Sequence, residues 1–261
     1  MKNIVIGSCF SIALLLGSFS TIGVKDYRIK KVVIDAGHGG KDSGTYGDFS
    51  YEKDVALDIA LELGEIIKKY MPDVEVIYTR DKDSFPSLNE RADIANKNGA
   101  DIFLSVHCNS APYSEAVHGT ESYVMGLNKT QKSLEVAMRE NSVIELEENY
   151  EENYEGFDPN SPESYILFNL YQNSFLNNSL SLASNIETQF AKRVGRKSRG
   201  VKQGPFLVLW RTSMPSVLVE VGFLSNPKEE VDLNDDLQQT YIASGIFRAF
   251  RDYKKEIESM N

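Results

Sequence analysis

The chain has 261 residues, with 28 basic and 38 acidic side chains and a formal charge of −10. Its length suits one large domain or two small ones, and 41% hydrophobic with 25% charged residues excludes a disordered or fibrous protein. The acidic balance excludes nucleic-acid binding through bulk charge and polybasic docking to membranes.

At the N-terminus, Lys2 precedes an apolar run from Ile4 to Leu16 and then a small polar stretch. That run has the length of a signal-peptide core and falls short of the roughly 20 apolar residues of a membrane span. Residues 1–23 therefore read as a signal peptide cleaved between Gly17 and Gly23, with a retained anchor as the alternative. Cys9 comes too early in this run to fit a lipid-attachment site. No later stretch is apolar enough to span a bilayer, so the expected mature chain has no transmembrane segment. Its one cysteine, Cys108, permits no internal disulfide, and an ordinary core must stabilise the fold.

Lys31–Ala36 predicts a strand leading into a glycine-rich loop, Gly37–Gly47. Tyr51 to Tyr70 carries apolar residues at helical spacing, and Pro72 ends the run. Val74–Thr79 reads as a second strand. Ser87-Leu-Asn-Glu90 is a capping-box pattern, which predicts a helix from Leu88 to Asn98 stopped by Gly99. Ala100–Val106 is a continuous apolar strand of the kind buried on both faces of a parallel sheet. Thr120–Met125 predicts a further strand. Helical sequence runs from Leu127 to about Val194, interrupted at Gly156–Pro162. Pro205–Leu209 and Pro215–Phe223 read as the last strands, and Leu237–Glu256 as a closing amphipathic helix. The expected fold is α/β: a single domain over 29–257, with a mostly parallel twisted central sheet flanked by helices and a helical insertion at about 128–175.

Several predicted strands carry polar residues unlike those of a plain turn. The first ends in Asp35-Ala-Gly-His38, another continues as Val106-His107-Cys-Asn109, and the last holds Glu220 within VLVEVGF. Ligand crevices of open α/β sheets lie at the carboxyl ends of strands. His38 and His107 with one carboxylate form a donor set that suits a catalytic Zn2+ with one position left open. Glu52 is the best third ligand, because it opens the first helix directly after the glycine loop; Asp54 and Asp48 are substitutes. Zinc acidifies a water from a pKa of 15.7 towards about 7 and polarises an amide carbonyl. Asp35 and Asn109 are candidates to support the ligands through hydrogen bonds. His118 fits a turn before Gly119. Glu220 has a bland alternative as the partner of Arg211 or Arg80.

The segments VVIDAGHGGKDSG, YEKDVALDIA, TRDKD with LNERADIAN, LSVHCNSA, HGTESYV and MPSVLVEVGFLSN together resemble the zinc-dependent N-acetylmuramoyl-L-alanine amidases of the amidase-3 type. They run in order from Lys31 to Asn226. The resemblance implies zinc on His38, Glu52 and His107, and a catalytic role for Glu220. It implies cleavage of the amide between N-acetylmuramic acid and L-alanine in peptidoglycan, during wall remodelling or daughter-cell separation. A wall-binding module without activity, and a zinc peptidase that trims stem peptides, are the competing functions. A thiol mechanism on Cys108 is the rival chemistry, but a strand turns the side chains of 107 and 108 to opposite faces.

The segment 140–163 holds nine acidic residues and no lysine or arginine, and without them the formal charge would be −1 instead of −10. A solvated face explains such a run. The resemblance offers an alternative, because cell-division members carry an insertion here that covers the zinc until an activator withdraws it. An exported activator protein acting on 140–163 is therefore an expected partner, with peptidoglycan as substrate and no nucleic acid. The N-terminal segment points to export, and analogy with the family makes the periplasm the expected compartment, with secretion or the cell surface as the alternative.

Overall fold

A computed structural model describes residues 27–127, 130–168 and 174–260. The expected signal peptide at 1–23 and the expected start of the insertion at 128–129 lie outside these residues. Six strands form one sheet among them: β1 (Lys31–Ala36), β2 (Glu75–Tyr78), β3 (Ile102–Asn109), β4 (Thr120–Met125), β5 (Ser198–Gly204) and β6 (Ser216–Phe223). Their order is β2-β1-β3-β6-β4-β5. Each neighbouring pair is parallel except β4 and β6. The continuous apolar runs of β1, β3 and β6 follow from this topology, because central strands of a parallel sheet are covered on both faces.

The helices are α1 (Glu52–Tyr70), α2 (Leu88–Lys97), α3 (Gln131–Asn141), α4 (Tyr150–Asn153), α5 (Pro162–Phe168), α6 (Leu176–Gln189), α7 (Leu207–Trp210), α8 (Pro227–Leu233) and α9 (Asp236–Ser259). Alternation along the strands divides the core. Val32, Ile34, Leu104, Val106, Cys108 and Val219 face the layer built by α1, α6 and α9. Val33, Phe103, Tyr123 and Leu218 face α2, α3 and α7. On that second face, further along the same strands, lie Asp35, His107, Glu220 and Glu121. His107 pairs with Glu220, and Glu220 with Glu121, in adjacent strands. The polar residues therefore form a row across the sheet.

Two expectations give way. Pro205–Leu209 is not a strand: Leu207–Trp210 forms one helical turn buried against α2, and the strand lies earlier, at Ser198–Gly204. SRGVKQG is a half-buried edge strand of polar residues and glycines, so it carries no apolar alternation. The helical run expected from Leu127 up to the break at Gly156 instead ends at Asn141 and tightens into a 3-10 turn, Ser142–Leu146. Asn149 then takes a left-handed φ of 57° before α4. The capping box at Ser87 and Glu90 is present with both hydrogen bonds.

Candidate active site

The glycine-rich loop shapes the site through close approach. A Cβ on Gly37 would lie 2.4 Å from the His107 ring, and one on Gly44 would lie 2.6 Å from the His38 ring and 2.7 Å from Glu52 Oε2. His38 itself takes a left-handed φ of 60°, uncommon for a residue with a side chain and typical of a constrained site. The turn is fixed from below by Arg91, which donates to the carbonyls of Ala36 and His38, and by Arg80, which donates to those of Ala36 and Gly37.

His38, Glu52, His107 and Glu140 are all buried and offer ligand atoms that lie within 4.8 Å of one another. His38 Nε2 is 3.1 Å from Glu52 Oε1 and 3.2 Å from Glu140 Oε2. His107 Nδ1 is 3.0 Å from Glu52 Oε1 and 3.1 Å from Glu140 Oε2. His38 Nε2 and Glu140 Oε2 are buried and, despite these close contacts, make no well-aligned hydrogen bond among the described residues. Buried polar atoms that converge without hydrogen-bond alignment fit a set of donors to a cation. The donor chemistry of two imidazoles and a carboxylate suits zinc.

The three ligands expected from the sequence thus meet at one point. Neither Asp48 nor Asp54 belongs to the group. Glu140, at the C-terminal end of α3, joins it without having been singled out in the sequence. The support expected from Asp35 falls to Asp42, whose carboxylate lies 2.6 Å from His38 Nδ1. Asp35 instead pairs with Arg91 at 2.8 Å and accepts from Thr79 and Ser105. Asn109 bonds to Glu121 and to Arg139, and among the described residues its side chain makes no hydrogen bond to His38, Glu52 or His107. His118 is exposed and lies 3.0 Å from the Ala116 carbonyl.

The charges of the cluster oppose their burial. Burial favours a neutral His107 ring, but Glu140 and Glu52 outweigh it and raise the pKa to about 9. Burial also disfavours an ionised Glu52, yet His38 brings that carboxyl down to about 2. Glu140 is held well below the usual carboxylate range against its burial, first by Arg139 and then by the two imidazoles. Glu220 goes the other way. It is fully buried, neither oxygen has a hydrogen-bond partner among the described residues, and burial with the nearby Glu140 charge pushes its carboxyl well above the usual range. Its nearest cation is Arg139, at 3.5 Å. Arg80 and Arg211 do not pair with it among the described residues. A buried carboxyl with a raised proton affinity, next to the candidate metal ligands, suits proton transfer.

The insertion closes this site. Beyond Glu140, Glu147 accepts from the Leu88 backbone N–H at the start of α2 and from the Tyr154 hydroxyl. Asn141 joins the Pro205 carbonyl and the Leu207 N–H. Lys41 donates to the Leu146 carbonyl. The space left beside His38, His107 and Glu140 is about 10 Å³, room for about one water.

The profile of the amidase-3 family, described as N-acetylmuramoyl-L-alanine amidase, matches residues 32–252. The chain belongs to the amidase-3 family. It is similar to the N-acetylmuramoyl-L-alanine amidase AmiA of Escherichia coli, with 34% identity over 218 residues, covering 82% of this chain and 73% of AmiA. The catalytic domain of the amidase CwlV from Bacillus (Paenibacillus) polymyxa var. colistinus aligns at 34% identity and a TM-score of 0.63, over 86% of this chain and 97% of that domain. The CwlD amidase of Clostridioides difficile, solved in complex with the GerS lipoprotein, aligns at 25% identity and a TM-score of 0.64, over 87% of this chain and 99% of CwlD. The amidase-3 domain is an amide hydrolase of the cell wall, and its polar row lies where this sheet brings strand ends together. Among the described residues no helix is long and apolar enough to cross a membrane.

Proposed function

We propose that this amidase is zinc-dependent and that its own insertion holds it in a restrained state. The observation that carries this reading is the Glu140 carboxylate, which approaches His38 and His107 from α3 at 3.2 and 3.1 Å. His38, Glu52 and His107 would hold the zinc, with Asp42 orienting His38 through Nδ1. Zinc bound there supplies Lewis acidity towards the amide carbonyl and the attacking water. Glu220 takes a proton from that water and passes it to the departing L-alanine nitrogen, help worth about 10²–10⁴-fold in rate. The products are the free lactyl carboxylate of N-acetylmuramic acid and a peptide beginning with L-alanine.

Glu140 and Arg139 of α3 sit on His38, His107 and Glu220, the groups that the scissile amide has to reach, so α3 withdraws before hydrolysis. We extend to this chain the idea of a protein partner, for which the CwlD complex with a lipoprotein is the precedent. The partner is an exported protein that displaces segment 140–163, and both act outside the cytoplasmic membrane, where the polymer lies. Wall remodelling or daughter-cell separation is the proposed process. Mass spectrometry of peptidoglycan digested by the zinc-loaded protein, with and without residues 140–163, tests the whole reading. Peptides beginning with L-alanine, released faster by the deletion form, support it. Shortened stems would move the activity to a zinc peptidase, and intact stems from both folded forms would leave a binding module.

A further inference from the structure

The polar row does not stop at Glu220. Its neighbour in β4, Glu121, is buried, and it accepts from the Tyr123 hydroxyl at 2.6 Å and from Asn109 Nδ2 at 3.1 Å. Two cations from edge strand β5 also converge on it: Arg199 through Nε at 2.6 Å, and Lys202. One carboxylate thus faces two cations, and a positive charge remains in excess at the outer end of the row. Among the described residues Arg199 donates through Nε, which leaves its forked Nη pair to face another acceptor. The guanidinium lies over the Phe223 ring, 5.3 Å from its centre. Both cations keep a quarter of their side-chain surface exposed. Nearby Arg196 is spent on Glu229 at 2.7 Å.

We infer that Arg199, with Lys202, forms a subsite for a carboxylate on the leaving peptide, and that it selects stems whose second residue bears a free carboxylate. The inference rests on the amidase reading. A guanidinium fork is the residue type best matched to a carboxylate, through two parallel hydrogen bonds. The distances agree. β5 lies two strand spacings from β6, or about 10 Å. Two extended residues beyond the scissile amide span about 7 Å, and the arginine side chain covers the rest. Arg139 stands at the inner end of the row, on Glu220 and Asn109, but it belongs to α3 and leaves with it.

The test uses full-length zinc-loaded protein, native and with Glu140→Ala, on two muramoyl peptides that differ only at the second residue. One carries the free carboxylate and the other its amide. The expected result is a preference of about tenfold in kcat/KM for the free acid, expressed in KM. Arg199→Gln should reduce that preference to within twofold by raising KM for the acid alone, with kcat and bound zinc unchanged. Arg199→Lys, which keeps the charge and the contact to Glu121 but loses the fork, should retain part of it. Equal use of acid and amide by the native site, or a lowered kcat on both in Arg199→Gln, would overturn the subsite while leaving the amidase. Cleavage of neither substrate by either form would overturn the amidase reading and the subsite with it.

Discussion

The Glu140 carboxylate lies 3.2 Å from His38 Nε2, so the end of α3 rests directly on a candidate metal ligand. Arg139 beside it reaches Glu220 at 3.5 Å, which brings the candidate metal ligands and Glu220 under one helix. Replacing Glu140 by alanine removes that carboxylate and would free a position at the proposed zinc. Hydrolysis of dye-labelled peptidoglycan by Glu140→Ala is expected to exceed that of the native protein at least tenfold, without any partner. Glu140→Gln keeps the size but loses the charge, and should give a smaller gain. Equal or lower activity in a variant with a normal melting temperature would end the restraint model.

Asp42 offers a separate handle on the same centre. Its carboxylate is 2.6 Å from His38 Nδ1, and such contacts fix the tautomer and orientation of a ligating imidazole. Asp42→Asn should weaken zinc binding about 10–100-fold, as read by competition with a chromophoric chelator. An unchanged affinity would show that the His38 ring is held by its left-handed backbone alone.

Cys108 separates metal from thiol chemistry. It is fully buried, and its burial, together with the Glu52 charge, pushes the thiol well above its usual pKa. It packs with the core on the sheet face opposite His107. Iodoacetamide should therefore leave activity intact, while a chelator abolishes it and added zinc restores it. The reverse pattern would place the chemistry on sulfur.

The sequence carries most of the scaffold because its strands are buried on both faces, and such strands are written as unbroken apolar runs. The polar residues at His38, His107 and Glu220 stand out against those runs for the same reason. Glu140 has no such signature. It is one of nine acids in an acidic stretch, and only the docking of the insertion through Asn141, Glu147 and Tyr154 distinguishes it from a solvated neighbour. β5 was equally hidden, since an edge strand of polar residues pays no toll in hydrophobic pattern. Asp42 did have a local signal, four residues after His38 in the same glycine-rich turn. Asp35 drew attention instead because it sits within a buried strand, where its partner is Arg91.

The pH dependence of the chelated protein follows from His107, whose pKa is raised to about 9 against an ordinary value near 6.5. Burial alone would lower it, so the sign comes from the Glu140 and Glu52 carboxylates. A histidine raised in the folded state binds its proton more tightly there than in the unfolded chain. The stabilisation is therefore complete below pH 6.5 and is lost as pH rises through 9. Zinc binding has the opposite slope, because ligating imidazoles must be deprotonated and protons compete with the metal. Calorimetry of the chelated protein should show a falling melting temperature from pH 6.5 to 9, at about 2–4 °C per kcal/mol for a domain of this size. The zinc-loaded protein should hold its value or gain over the same range, so the two curves diverge with pH. Parallel curves would mean that His38, Glu52, His107 and Glu140 do not exchange protons for metal, and that the cation binds elsewhere.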